Sequence, residues 1–455
     1  MGVTEKLARF IVGTDYEDIP QEAIGIAKAA MLDCLGTTLA GSAEPAGEII
    51  AQFVKEMGGE PRAGVVGHGF RTAPPNAALA NGTMGHALDY DDVGGPIGHP
   101  TVVLLPGLLA LGEGLKSSGK ELLEAYVVGY EVGSKIGMGI GGQHYAQGWH
   151  STATLGTMAS AAACAKLLKL DVEKIRLTLG LAASQAAGTR ANFGTMTKPF
   201  HAGNAARVGV TSALLAKSGF SADENILEAD MGFAALYSAG GAYDVGRMIE
   251  GLGNPFHILS PGLTFKFYPA CFESHRTLDA LLYLVEKHDL SPDMVESIEC
   301  RAHPMIPQIL IHSQPKTGLE GKFSMQYTLT AALFDRKVDL ETFTTEKVLK
   351  PELQAFFGKV RMNIDPEVNR SQVAGGPDNV TVKLKDGREY FQRVEWPKGH
   401  PRNPLTGEEL YHKFRNCAQV VLQQGDIEKA LQMMENLEDL GDVSTLMDIV
   451  TQGRP

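Results

Sequence analysis

Residues 154–170 run TLGTMASAAACAKLLKL. Gly156, Ala159, Ser160, Ala161, Ala162, Ala163 and Ala165 give this stretch very little side-chain bulk, and alanine is the strongest helix former. A helix with so slim a surface lets its neighbours approach closely, which predicts a place inside a large helical core. The same texture continues on both sides. Residues 121–138, 172–187 and 205–220 carry apolar side chains at helical spacing. Further upstream, Ile24, Ala27, Met31 and Leu35 recur every three or four residues, with Pro20 suited to a first helical position and Gly41 to a helix end. Nothing between residues 20 and 265 alternates strand with helix as a doubly wound sheet would, so this half is predicted to be all-helical.

The texture changes after Pro269. A helix over 276–288 and another over 324–333 are interspersed with strand-like alternation at 297–302, 359–364, 379–384 and 388–394. Asp386 and Gly387 form a strong turn signal that makes the last two strands a hairpin. The predicted fold class is therefore mainly α: a large helical domain over 1–265, completed by 400–455, and a smaller α+β lid domain over 266–399. A chain of 455 residues is long enough for more than one core.

The formal net charge of -12, with 41 Lys and Arg residues and no long basic run, excludes a nucleic-acid partner. Five widely spaced cysteines without a C-x-x-C pair indicate neither a disulfide framework nor a zinc site. Residues 1–10 lack an apolar signal core, and the apolar stretch 101–111 is too short to cross a bilayer, so no membrane partner and a cytoplasmic location are expected. An acidic protein can still bind an acidic substrate if a few cations converge in one place.

Four segments carry candidate chemistry. In the first, His86 and Asp89 precede Tyr90, Asp91 and Asp92, and His99-Pro100 follows. Three carboxylates within four residues repel one another, so metal binding, acid/base catalysis or helix capping must hold them. Capping by Asp91 and Asp92 stands beside the functional readings, and no recognised metal-ligand spacing is present. In the second segment His150 directly precedes a helix, where free amides and the positive dipole end suit a carboxylate and the imidazole can move a proton. The third, NFGTMTKPFHAGN over 192–204, puts Lys198 and His201 in a glycine-containing loop before a helix bearing Arg207, a composition fit to cradle an anion. The fourth, KFYPACFESHR over 266–276, is again cationic and again precedes a helix. Taken singly, each also suits a solvated loop. His68, His144, His257, His288, His303, His312, His400 and His412 match no chemistry, and most are expected at the surface or in loops.

Together these segments resemble the MmgE/PrpD family, which includes 2-methylcitrate dehydratases, cis-aconitate decarboxylases and iminodisuccinate epimerases. The resemblance runs from Asp33-Cys34-Leu35-Gly36 through GKFSMQY at 321–327 to NPLT at 403–406. It implies a homodimer, a small di- or tricarboxylate substrate and no required metal or organic cofactor. It also implies that Asp89, His99, His150, Lys198 and Lys266 are catalytic. Lys198 and Lys266 would then hold substrate carboxylates, while His99 or His150, with Asp89, would handle the proton. His201, Arg207, Cys271, His275, Arg276 and Tyr327 are the candidate substrate contacts. Two departures from the decarboxylase pattern, Val93 in place of threonine and Cys271 in place of histidine, direct the expectation to a 2-methylcitrate dehydratase-like hydro-lyase. A decarboxylase or epimerase is the close alternative, and a non-catalytic carboxylate-binding protein the distant one.

Overall fold

The computed structural model describes residues 1–238, 240–304, 306–364 and 378–453. The chain divides into two units. The first comprises 1–192, 196–264 and 406–455, and the second 193–195 and 265–405. Residues 400–405 thus lie with the second unit, which also takes three residues from the first half of the chain.

The first unit is built on the helices Gln21–Gly41, Pro74–Ala87, Thr101–Leu115, Gly119–Ile140, Ser151–Leu167, Val172–Ala183 and Thr197–Lys217, joined by Gly407–Ala418, Gln424–Glu435 and Ser444–Val450 from the chain's end. Within Ser151–Leu167 every residue except Lys166 is buried, as its small side chains require of a central helix. Helices Pro74–Ala87 and Thr197–Lys217 meet even more closely. A Cβ on Gly82 would lie 2.7 Å from Gly203 Cα, and one on Gly203 would lie 2.2 Å from the Leu79 carbonyl oxygen. That approach brings the residues around His86 towards those around Lys198. Helix Gln21–Gly41 is long and apolar enough to cross a membrane by length and composition, yet it packs inside this unit with Asp33 buried against Lys413. The same unit holds a small hairpin, β1 (Ala63–Val65) and β2 (Phe70–Thr72). Three-residue strands are too short to show alternation in the sequence, which is why the all-helical expectation passed over them.

In the second unit a four-stranded sheet combines β3 (Val295–Ala302), β4 (Val360–Ile364), β5 (Asp378–Leu384) and β6 (Glu389–Val394) in the order β4-β3-β5-β6. β4 runs parallel to β3, and β5 is antiparallel to both β3 and β6. The β5–β6 connection turns at Asp386-Gly387, where Gly387 takes φ +89° and its N–H donates to the Leu384 carbonyl. Alternation on β5 buries Val380, Val382 and Leu384, and helices His275–His288 and Met325–Asp335 pack against the sheet. The architecture is mainly α with a smaller α+β part, as the sequence texture led us to expect.

Candidate active site

Three helix ends of the first unit supply the candidate site. The helix Pro74–Ala87 carries His86 in its last turn, and the chain then reverses at Asp89, which adopts φ +51° while its N–H donates to the His86 carbonyl. A left-handed aspartate is strained by about 1–3 kcal/mol and persists only where its surroundings hold it there. Here Lys198 does so, with Nζ 2.6 Å from Asp89 Oδ1 and both side chains buried. Lys198 sits in the first turn of Thr197–Lys217, and His201 lies on the same face one turn later. His150 is the N-cap residue of Ser151–Leu167, and its Nδ1 lies 3.1 Å from His201 Nδ1.

Asp91 and Asp92 have separate roles. Asp91 Oδ1 accepts from His86 Nδ1 at 2.8 Å, and its Oδ2 lies 3.2 Å from His99 Nδ1. Asp92 instead accepts from the backbone N–H and hydroxyl of Thr101, the first residue of helix Thr101–Leu115. His99 Nδ1 is also 2.9 Å from the Asp92 carbonyl oxygen, which can only accept. The proton is therefore on Nδ1, and in the neutral ring Nε2, 3.9 Å from Asp89 Oδ1, is an acceptor. The rings of His86 and His99 lie 4.4 Å apart, and those of His86 and His150 6.2 Å apart.

Burial and charge set the protonation states. Burial lowers the His86 pKa to about 4 against the opposing pull of Asp91, so the ring is neutral at pH 7. Burial also holds His150 well below its ordinary value, with Lys198 adding to the effect, and lowers His201 to about 4. Burial pushes Asp91 up, but His86 and His99 outweigh it and hold the carboxyl well below the usual range. Burial raises Asp92 well above that range, helped by the charges of Asp91 and Asp33. Two adjacent carboxyls are thus driven apart, Asp91 below the usual range and Asp92 above it. His86, Asp89, Asp91 and His99 each offer a ligand atom within 4.8 Å of the others, a donor set that suits a divalent cation. The Lys198 ammonium already supplies a positive charge at Asp89 Oδ1.

Asp89, His99, His150, Lys198 and His201 are thus brought together. Lys198 and His201 stand on the helix rather than in the loop expected before it, because the helix begins at Thr197. Arg207 is not part of the group. It follows Lys198 by nine residues, about 13–14 Å along the axis and half a turn round, and it donates to Asn204. The sequence reading passed over His86 as a site residue, although a histidine one turn before Asp89 at the end of an otherwise small and apolar helix was a usable signal. Of the histidines expected at the surface or in loops, His144, His257 and His303 are buried, and His144 is fixed by Thr154 and the Tyr237 carbonyl.

Lys266, Cys271, His275, Arg276 and Tyr327 belong to the second unit. Lys266, Arg276 and Tyr327 are fully buried there. Arg276 donates to the Glu395 carbonyl and lies 3.9 Å from Asp378. His275 Nε2 contacts the Ala270 carbonyl at 3.2 Å, and the Cys271 N–H donates to the Lys322 carbonyl. The Tyr327 hydroxyl donates to the Thr342 carbonyl, and its ring packs on Phe343 and Phe357, the arrangement of a core aromatic rather than the substrate contact expected.

A buried ammonium–carboxylate pair among neutral imidazoles is equipped to bind an anionic substrate and move a proton. Residues 5–245 match the MmgE/PrpD N-terminal domain and residues 268–439 the MmgE/PrpD C-terminal domain, so the chain belongs to the MmgE/PrpD family. It is 32% identical over 466 residues to the cis-aconitate decarboxylase of Mus musculus, covering 98% of this chain and 92% of that protein. It is 31% identical over 473 residues to the cis-aconitate decarboxylase of Homo sapiens, covering 100% and 95%. For the cis-aconitate decarboxylase of Aspergillus terreus the identity is 27% over 480 residues, covering 99% and 96%.

Proposed function

We propose that this chain is a lyase that decarboxylates an unsaturated tricarboxylate of the cis-aconitate type. The observation that carries the reading is the Lys198–Asp89 pair at 2.6 Å, set beside His99 and His150. The full-length likeness to decarboxylases supports this alternative over the hydro-lyase that Val93 and Cys271 led us to expect. In the proposed reaction the carboxylate on the substrate's methylene group leaves as carbon dioxide. The electron pair of the broken bond becomes a new C=C bond, and the pair of the old C=C bond moves to the carbon beside another carboxylate, where it takes a proton. Negative charge therefore grows next to a carboxylate, and Lys198 stabilises it. His150 delivers the proton, and Lys198 orients the Asp89 carboxylate beside His99.

Dehydration of a hydroxy acid is the second reading, favoured by Val93, which lacks the hydroxyl of the decarboxylase pattern. The test is proton NMR in deuterated water with cis-aconitate, 2-methylcitrate, citrate and iminodisuccinate in separate tubes, alongside H150A. Decarboxylation of cis-aconitate with one deuteron placed on the product's saturated carbon, lost in H150A, is the expected result. Loss of water from 2-methylcitrate alone would transfer the assignment to the second reading, and inertness towards all four acids would overturn both.

A further inference from the structure

His201 was expected to touch substrate, but the structure commits its Nδ1 to another ring. His150 Nδ1 and His201 Nδ1 lie 3.1 Å apart. Two imidazole nitrogens at that separation need one proton between them: with none they are two lone pairs in contact, and with two they are two opposed donors. We propose that His201 is the proton-relay partner of His150, the position of the shared proton deciding whether His150 presents Nε2–H or a bare Nε2 to the chemistry. The proposal rests on the lyase reading above.

The contact is held from both sides. The His150 N–H donates to the Gly188 carbonyl at 3.0 Å, and Trp149 bridges to Thr189. Gly188 has φ +148°, and a Cβ there would lie 3.3 Å from His201 Nδ1 and 2.5 Å from Ala153 Cβ. The backbone that fixes His150 therefore also leaves room for the His201 ring. His201 is the more exposed of the two, at 8% against 2%, which makes it the ring nearer to a solvent proton. Burial keeps both rings neutral near pH 7, and the charges facing them are Lys198 and, when protonated, His86 and His99.

Neutral imidazole is a poor acid alone, because losing Nε2–H would leave an imidazolate. A relay removes that obstacle. A solvent acid gives a proton to His201 Nε2, the His201 Nδ1 proton crosses to His150 Nδ1, and the His150 Nε2 proton goes to the substrate carbon that holds the electron pair. Each ring gains and loses one proton and ends neutral with its tautomer reversed. The opposite hop through water resets both rings after product leaves.

The experiment compares wild type, H201N and H201A. Asparagine can hydrogen-bond His150 Nδ1 but cannot pass a proton through. We expect H201N to lower kcat by about tenfold to a hundredfold, with KM within about twofold and a larger solvent deuterium effect on kcat. Free imidazole should restore H201A. Wild-type kcat in H201N, or an H201A deficit that imidazole leaves untouched, overturns the relay. Ring ¹⁵N NMR of the wild-type protein separates this from failure of the lyase reading, since it needs no turnover. The wild-type rings should rest as His201 Nδ1–H and His150 Nε2–H, or exchange between that pair and its reverse; a His150 ring fixed with its proton on Nδ1, or a pair that both carry or both lack the Nδ1 proton, overturns the relay even if no acid is consumed.

Discussion

The first unit contains two buried lysine–aspartate pairs with the same N···O distance, 2.6 Å: Lys198 with Asp89, and Lys413 with Asp33. They hold neighbouring residues of one loop, the first through the Asp89 side chain and the second through the Tyr90 carbonyl, which Lys413 reaches at 2.8 Å. Their surroundings differ. Lys413 lies 3.9 Å over the Tyr90 ring, between a fixed carbonyl and a fixed carboxylate. Lys198 faces His86, His150 and His201, rings that burial keeps neutral and able to accept or release a proton. A buried ion pair is thus no sign of function in itself. Titratable neighbours distinguish a pair that does chemistry from one that fixes a loop.

Replacing each lysine should separate the two roles. K198M is expected to lower kcat/KM by at least about 10²–10³-fold, the scale of losing one preorganised charge, as measured by carbon dioxide release per folded molecule. K413M should act chiefly on stability, by about 3–5 kcal/mol, because it leaves the Asp33 carboxylate buried without its cation. Urea unfolding measures that loss, and activity per folded molecule should fall less than tenfold. If K413M abolished turnover at wild-type stability, or K198M unfolded the chain while its folded fraction stayed active, the contrast between the pairs would collapse.

The helical body was legible in the sequence because alanine and glycine are slim wherever they stand, and Ser151–Leu167 needed nothing further to be placed in the core. The start of Thr197–Lys217 was not, because Pro199 reads as a loop residue. At the third helical position its missing N–H costs nothing, since the first four amides have no partner within the helix anyway. Asp91 and Asp92 could not be told apart in sequence. Capping is right for Asp92, which meets Thr101, and wrong for Asp91, which meets His86 and His99, and only the fold chooses those partners. Arg207 was grouped with Lys198 by proximity along the chain, and helix geometry turns it to the opposite side.

G203A tests the close helix approach that holds both the core and the site. Its Cβ would meet the Leu79 carbonyl oxygen at 2.2 Å and the Thr83 hydroxyl at 2.3 Å, and the first of these, a backbone atom, cannot rotate away. The expected cost is about 1–3 kcal/mol, read by thermal unfolding, with KM for substrate rising because Lys198 is carried on one displaced helix and Asp89 on the loop that leaves the other. G203A at wild-type stability would mean that this approach is looser than the structure has it.

The smallest expected effect concerns His86, the ring that the sequence reading passed over. Its pKa should lie near 4, as followed by the C2 proton in NMR between pH 3 and 8. Burial lowers it while the Asp91 charge raises it, so D91N should move the pKa further down. The stability consequence has a definite sign. A histidine that titrates at 6.5 when unfolded and near 4 when folded binds more protons unfolded throughout that window, so the folded state loses stability as pH falls from about 6.5 towards 4. H86N removes this group and should flatten that part of the profile. An increase in the His86 pKa on D91N would mean that Asp91 accepts a proton shared with the ring instead of acting as a fixed negative charge, and the site's ionised carboxyl would have to be assigned elsewhere.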